Sequence, residues 1–103
     1  MPTLVDLGAA FVGAGGEGIT RGGVPVPERT GVGVTFACPC GCGQVRYVPF
    51  ANPLDGGEPI EPASATWTRS GETLETLTLS PSIQVRGGCG WHGYVRDGAT
   101  VDA

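Results

Sequence analysis

Four cysteines and one histidine are the residues of this chain whose types and spacing could do chemistry. Phe36-Ala37-Cys38-Pro39-Cys40-Gly41-Cys42-Gly43-Gln44 packs three thiols into five positions, and Gly87-Gly88-Cys89-Gly90-Trp91-His92-Gly93 holds a Cys-x-x-His pair. Thiolate sulfur and neutral imidazole are the ligands a tetrahedral zinc prefers, and two ligand groups from separate turns are its usual structural arrangement. Cys38, Cys40, Cys42, Cys89 and His92 are therefore the candidate metal ligands, with zinc the expected cofactor. Glycines beside the thiols permit positive φ and leave backbone amides free to point at sulfur. The spacing departs from the common zinc knuckle, which has two residues between its cysteines. Here one residue separates Cys38 from Cys40 and Cys40 from Cys42. Five ligands for four positions leave one in surplus among Cys38, Cys40 and Cys42.

Other chemistries fit these residues less well. Disulfides would have to join cysteines too close for easy bridging, and would leave His92 idle. An iron–sulfur centre usually takes four thiolates at suitable spacing. A catalytic zinc needs an open position and a carboxylate base. No Glu stands beside a ligand: Asp97 lies across a turn, and Glu72 and Glu75 belong to another hairpin. If the metal takes His92, a cysteine or serine nucleophile has no base left. Ser80-Pro81-Ser82 then reads as a redirection of the chain between strands, and no catalytic residue is assigned.

The elements that must position these residues are short strands. Residues 1–31 carry Gly8, Gly13, Gly15, Gly16, Gly18, Gly22, Gly23 and Gly31, a density that excludes an ordinary helix. Gly13, Gly15 and Gly18 fit the dinucleotide-loop spacing, but without a following helix they read as part of an extended glycine-rich arm. From residue 32 the pattern becomes that of a β domain. Val32–Phe36 leads into the first cysteines and Gln44–Phe50 leads out, predicting a hairpin with the thiols at its tip. Ala65–Arg69 and Thr73–Leu79, joined at Ser70-Gly71, predict a second hairpin. Ser82–Arg86 follows as a strand. Gly93–Arg96 and Ala99–Val101 predict a third hairpin across Asp97-Gly98, a favoured two-residue turn. Leu77, Leu79 and Ile83 are expected in the core, with Trp67, Trp91 and Tyr94 as core or site-covering aromatics. The expected fold is mainly β: a small antiparallel sheet or half-open barrel of hairpins stapled by one metal site.

With 103 residues, 19 of them glycine and 9 proline, the chain affords one domain with a thin core. Its net charge of −4, from six arginines against ten carboxylates with no lysine, lacks the basic footprint of nucleic-acid binding. No apolar run approaches the roughly 18 to 20 residues that span a bilayer. The acidic, non-basic start Met1-Pro2-Thr3-Leu4-Val5-Asp6 does not read as a signal peptide. The expected location is the cytoplasm, where clustered cysteines stay reduced and more often ligate metal.

Cys38-Pro39-Cys40-Gly41-Cys42-Gly43, Trp67, Leu77-Thr78-Leu79-Ser80-Pro81-Ser82-Ile83 and Cys89-x-x-His92, followed by Val95-Arg96-Asp97-Gly98, resemble a family of small uncharacterised proteins. Its members occur in bacteriophages and in bacterial mobile or defence-like gene clusters. The resemblance runs through roughly residues 32–103, and in phage members extends to the 11–18 and 48–57 stretches. It implies metal binding by the cysteines and His92, and a phage origin. Some members lie beside ubiquitin-like conjugation genes, which implies a metal-dependent peptidase as an alternative. The expectation is a non-enzymatic, zinc-stapled structural module of a phage, a virion or assembly component. Its arm (1–31) would lie along neighbouring subunits and its β domain would cover 32–103, without nucleic-acid or membrane partners. The alternatives are a metal-dependent hydrolase or peptidase, and a small phage protein that binds a host protein.

Overall fold

β-branched and aromatic residues in short runs, separated by glycine and proline, give a chain of strands with a 3-10 turn at Ala63–Ala65. A computed structural model describes residues 2–16, 18, 20–85 and 89–103. The strands are β1 (Ala10–Ala14), β2 (Thr20–Arg21), β3 (Val24–Pro25), β4 (Arg29–Ala37), β5 (Val45–Pro49), β6 (Thr68–Ser70), β7 (Thr78–Gln84), β8 (His92–Arg96) and β9 (Ala99–Asp102). They form antiparallel sheets in the orders β1-β4-β5, β2-β3 and β6-β7-β8-β9, with no closed barrel among the described residues. The mainly β expectation holds. No helix among the described residues is long and apolar enough to cross a membrane.

β4 is central in the first sheet, so its middle must fit between two neighbours. Gly33 pairs with both Val12 and Pro49. A Cβ there would come within 2.6 Å of the Tyr47 ring and 2.8 Å of the Val48 carbonyl oxygen, so only glycine admits the crossing. The β4–β5 ladder runs from Gly33↔Pro49 to Ala37↔Val45, and ends at the cysteines as expected. The second sheet is joined to the first by a parallel bridge between Phe50 and Trp67. Val34, Phe36, Val48 and Phe50 from one side meet Leu77, Leu79, Ile83, Trp91 and Val95 from the other in one buried cluster.

Residues within 1–31 contribute to this core. Leu4 is fully buried, its N–H donates to the Gly98 carbonyl at 2.8 Å, and Thr100 N–H donates to the Pro2 carbonyl at 3.0 Å. Thr3 and Asp6 cap each other reciprocally, which shapes the turn that carries Leu4 inward. β1 then pairs along β4.

Two local expectations need correction. The second hairpin does not turn at Ser70-Gly71: Thr68↔Ser80 and Ser70↔Thr78 are the paired positions, so residues 71–77 form the connection. Hydrogen bonds between Thr73 and Thr76 and from Arg69 Nη1 to the Gly71 carbonyl hold this loop, outweighing the β propensity of its threonines. The expected redirection at Ser80-Pro81-Ser82 does not occur either, because these residues continue β7 as a bulge. Leu79 pairs with Val95 and Ile83 with Gly93, so three residues of β7 stand against Tyr94 alone. Within a bulge the ladder asks no N–H of Pro81, which is how the strand accommodates it. The Asp97-Gly98 turn forms as expected, with φ of 47° and 75° at its two residues. Arg86, the predicted end of the Ser82–Arg86 strand, lies outside the described residues, as do Gly87 and Gly88.

Candidate functional site

The β4–β5 tip is a tight loop. Cys38 N–H donates to the Gln44 carbonyl at 2.8 Å and Gly41 N–H to the Cys38 carbonyl at 3.0 Å, with Gly41 and Gly43 at φ of 82° and 83°. This winding turns Cys38 into the core while Cys40 and Cys42 stay exposed. Across the molecule, Val85 N–H donates to the Trp91 carbonyl at 2.7 Å and closes the loop between β7 and β8. Cys89 sits in that loop.

The two loops bring all four cysteines together. The Sγ atoms of Cys38, Cys40, Cys42 and Cys89 lie within 4.8 Å of one another, Cys38 being 3.3 Å from Cys40 and 3.5 Å from Cys89. Four sulfurs about 2.3 Å from a tetrahedral metal would be about 3.8 Å apart. The group is therefore of the size that could hold a metal ion, and its four donors are all thiols. His92 is not part of this group, whereas all three clustered cysteines are.

The electrostatics of the group are uneven. The Trp91 backbone N–H holds the Cys89 thiol down to about 6, and the Gln44 N–H lowers Cys42. Hydrogen bonding with the neighbouring sulfurs, that of Cys89 first, pushes Cys40 up to about 12. Arg46, on β5, places Nη2 3.4 Å from Cys89 Sγ and 3.7 Å from Cys42 Sγ. Its Nε is buried without a protein partner, and the sulfurs, Cys38 first, raise its pKa further. A cation beside Cys89 and Cys42 favours the ionised forms of those two thiols.

His92 stands apart from the four sulfurs. It is the first residue of β8, and its Nε2 lies 3.0 Å from Ser82 Oγ. Strand register explains the meeting. His92 pairs with Gln84, which shares its face of β7 with Ser82, and the intervening Ile83↔Gly93 pair points into the core. Ser82 is half-buried and His92 exposed, so the pair lies on the outer face of the four-stranded sheet. Among the described residues no carboxylate forms an ion pair with the imidazole, and nearby Asp102 instead accepts from Trp91 Nε1 at 2.9 Å. A hydroxyl within hydrogen-bond reach of an imidazole is the arrangement that activates serine as a nucleophile. The Ser82–His92 contact was missed because His92 was given to the metal. The available signal was the ten-residue separation of Ser82 from His92 across one hairpin.

A cleft of about 620 Å³ lies elsewhere, lined by Ala14, Arg21, Arg29 and Glu61 among others, and includes neither the thiols nor the Ser82–His92 pair.

Compared with protein-family models, residues 17–102 match the family described as bacterial ubiquitination-like system serine protease (BubE). Neither the curated proteins nor the solved structures gave a match. The family match overturns the expectation of a non-enzymatic phage structural module. It points to a protease-associated role in a bacterial system, and its description names a serine protease where the alternative had been a metal-dependent one.

Proposed function

This chain belongs to the BubE family of bacterial ubiquitination-like system serine proteases, and from that premise we propose that Ser82 and His92 act as its nucleophile and general base. As Ser82 Oγ attacks the carbonyl carbon of a peptide bond, His92 Nε2 takes the hydroxyl proton. The imidazolium then returns that proton to the leaving amine as the C–N bond breaks, leaving an ester on Ser82. His92 next draws a proton from water, whose oxygen attacks the ester. The carboxylic product departs and Ser82 Oγ regains its proton. The observation that carries this reading is the 3.0 Å contact between Nε2 and Oγ on an outward-facing sheet surface, where a polypeptide can approach. The test is labelling of the intact protein with a fluorophosphonate. The expected adduct maps to Ser82 and is absent from Ser82→Ala; an adduct on any other residue overturns the assignment.

The thiol group has a separate role in this reading. Cys38, Cys40, Cys42 and Cys89 would hold a zinc ion, the softness of four sulfur donors being the supporting observation. With every tetrahedral position filled by protein, the metal would supply cross-linking between the β4–β5 tip and the β7–β8 loop. Elemental analysis of the purified protein, expected to give one zinc per chain, tests this independently of activity.

A further inference from the structure

A bulge frees its residues from the ladder, so something else must hold the part of β7 that carries the nucleophile. Ser80, Pro81 and Ser82 face only Tyr94 across the β7–β8 ladder, and on the other side the β6 ladder ends at Thr68↔Ser80. Ser82 thus lies beyond both regular pairings. Its carbonyl oxygen nevertheless has a donor: Trp67 Nε1–H reaches it at 3.3 Å.

Trp67 is itself firmly placed. Its N–H donates to the Pro49 carbonyl at 3.0 Å, and its own carbonyl accepts from Ala51 N–H at 2.8 Å. These bonds form the Phe50↔Trp67 bridge between the sheets. Its ring packs against the buried cluster. The indole is thereby referenced to the first sheet while its N–H holds the second.

We infer that Trp67 is a positioning residue for the nucleophile, its indole N–H fixing the Ser82 carbonyl so that Oγ stays in reach of His92 Nε2. The inference rests on the assignment of Ser82 and His92 above. The hydrogen bond from Trp67 goes to the Ser82 backbone and not to a reacting atom, so it sets where the backbone of Ser82 lies. Misplacement of a reacting group by about 1 Å can cost on the order of 100-fold in rate. Losing the indole N–H should therefore act on the chemical step more than on substrate binding.

The experiment compares wild type, Trp67→Phe and Ser82→Ala in the whole chain. Phenylalanine keeps an aromatic ring in the cluster and removes the N–H. The expected result is fluorophosphonate labelling of Trp67→Phe slowed about 10- to 100-fold. On a cleavable peptide, kcat should fall with KM nearly unchanged, and the melting temperature should shift only modestly. Labelling and kcat at the wild-type level in a folded Trp67→Phe overturn the inference. Undiminished labelling of Ser82→Ala overturns the dyad assignment instead, so the two failures are distinguishable. Should Trp67→Phe not fold, the wild-type protein supplies the readout. With two tryptophans in the chain, the Trp67 indole N–H signal in NMR should resist solvent exchange and move when Ser82 is phosphonylated. A fast-exchanging signal unmoved by phosphonylation overturns the inference.

Discussion

Cys89 and His92, three residues apart where the loop enters β8, turn to different partners: Cys89 Sγ to the sulfurs of Cys38, Cys40 and Cys42, and His92 Nε2 to Ser82 Oγ. Between them Trp91 is buried, and its backbone joins both sites. Its N–H lowers the Cys89 thiol while its carbonyl accepts from Val85 and closes the loop. The thiol group and the dyad therefore share a short segment of backbone without sharing a ligand.

Metal removal should accordingly inactivate the protein although no metal touches the dyad. Apparent binding energies of structural zinc are about 10–16 kcal/mol, comparable with the whole stability of a small domain. Exhaustive chelation is expected to abolish the cooperative melting transition and fluorophosphonate labelling together, and zinc should restore both. A protein shown by elemental analysis to be metal-free, yet melting and labelling as before, would refute the structural role.

Within the dyad, substitutions should not add. Ser82→Ala and His92→Ala are each expected to lower kcat/KM by about 1000-fold or more, and the double variant should fall little further, since each removes the same proton-transfer unit. Steady-state kinetics on one peptide substrate decides this. Independent, multiplying losses would show that the two residues do not act together.

Arg46 should matter to the metal rather than to bond cleavage. Its Nη2 places a cation within reach of Cys89 and Cys42. Residues that support ligands in this way typically change metal affinity about 10- to 100-fold. Competition against a chromophoric chelator should show Arg46→Ala weakened by that factor. Equal affinities in wild type and variant would remove Arg46 from the site.

Much of this was legible in the residues, for identifiable reasons. The β4–β5 hairpin and the Asp97-Gly98 turn follow from alternation and from a turn type that needs positive φ at both central residues. A meeting of Cys89 with the Cys38–Cys42 cluster was also visible, because clustered thiols on two turns have few other uses, although one of Cys38, Cys40 and Cys42 was expected to stand aside and none does. His92 was not, because Cys-x-x-His spacing is the same whether the ring faces the sulfurs or the neighbouring strand. Only the Gln84↔His92 register decides that, and register is a long-range property. Ser82 was hidden by Pro81, which as a local signal breaks strands and here occupies a bulge.

Acid should loosen the β4 end through Asp55. Arg29 Nε donates to Asp55 Oδ2 at 2.6 Å, and this hydrogen bond, with the Gly57 N–H, holds the Asp55 carboxyl well below its ordinary range. A carboxyl whose pKa is lower folded than unfolded stabilises the fold above its unfolded pKa, about 3.9. That contribution is lost as pH falls below about 4. Melting temperatures from pH 7 to pH 2 should therefore decline less steeply in Asp55→Asn, which starts lower at pH 7. Parallel curves for the two proteins would show that Asp55 contributes nothing to the acid limb.

Gly93 is the position where a single methyl group should reach the dyad. It follows His92 and faces the core, and a Cβ there would come within 2.5 Å of Trp91 Cζ2 and of the Val101 carbonyl oxygen. Neither neighbour can give easily, one being a buried ring and the other strand backbone, so β8 itself must shift. Overpacking of this kind costs about 1–3 kcal/mol. Gly8→Ala is the matched comparison. Gly8 differs in having positive φ, at 65°, with nothing within 4 Å of its would-be Cβ, so it incurs only backbone strain of about 1–2 kcal/mol. Both variants should melt lower than wild type, but at a temperature where both remain folded only Gly93→Ala should label slowly with fluorophosphonate. Equal labelling by the two would mean that His92 reaches Ser82 without depending on how β8 is seated.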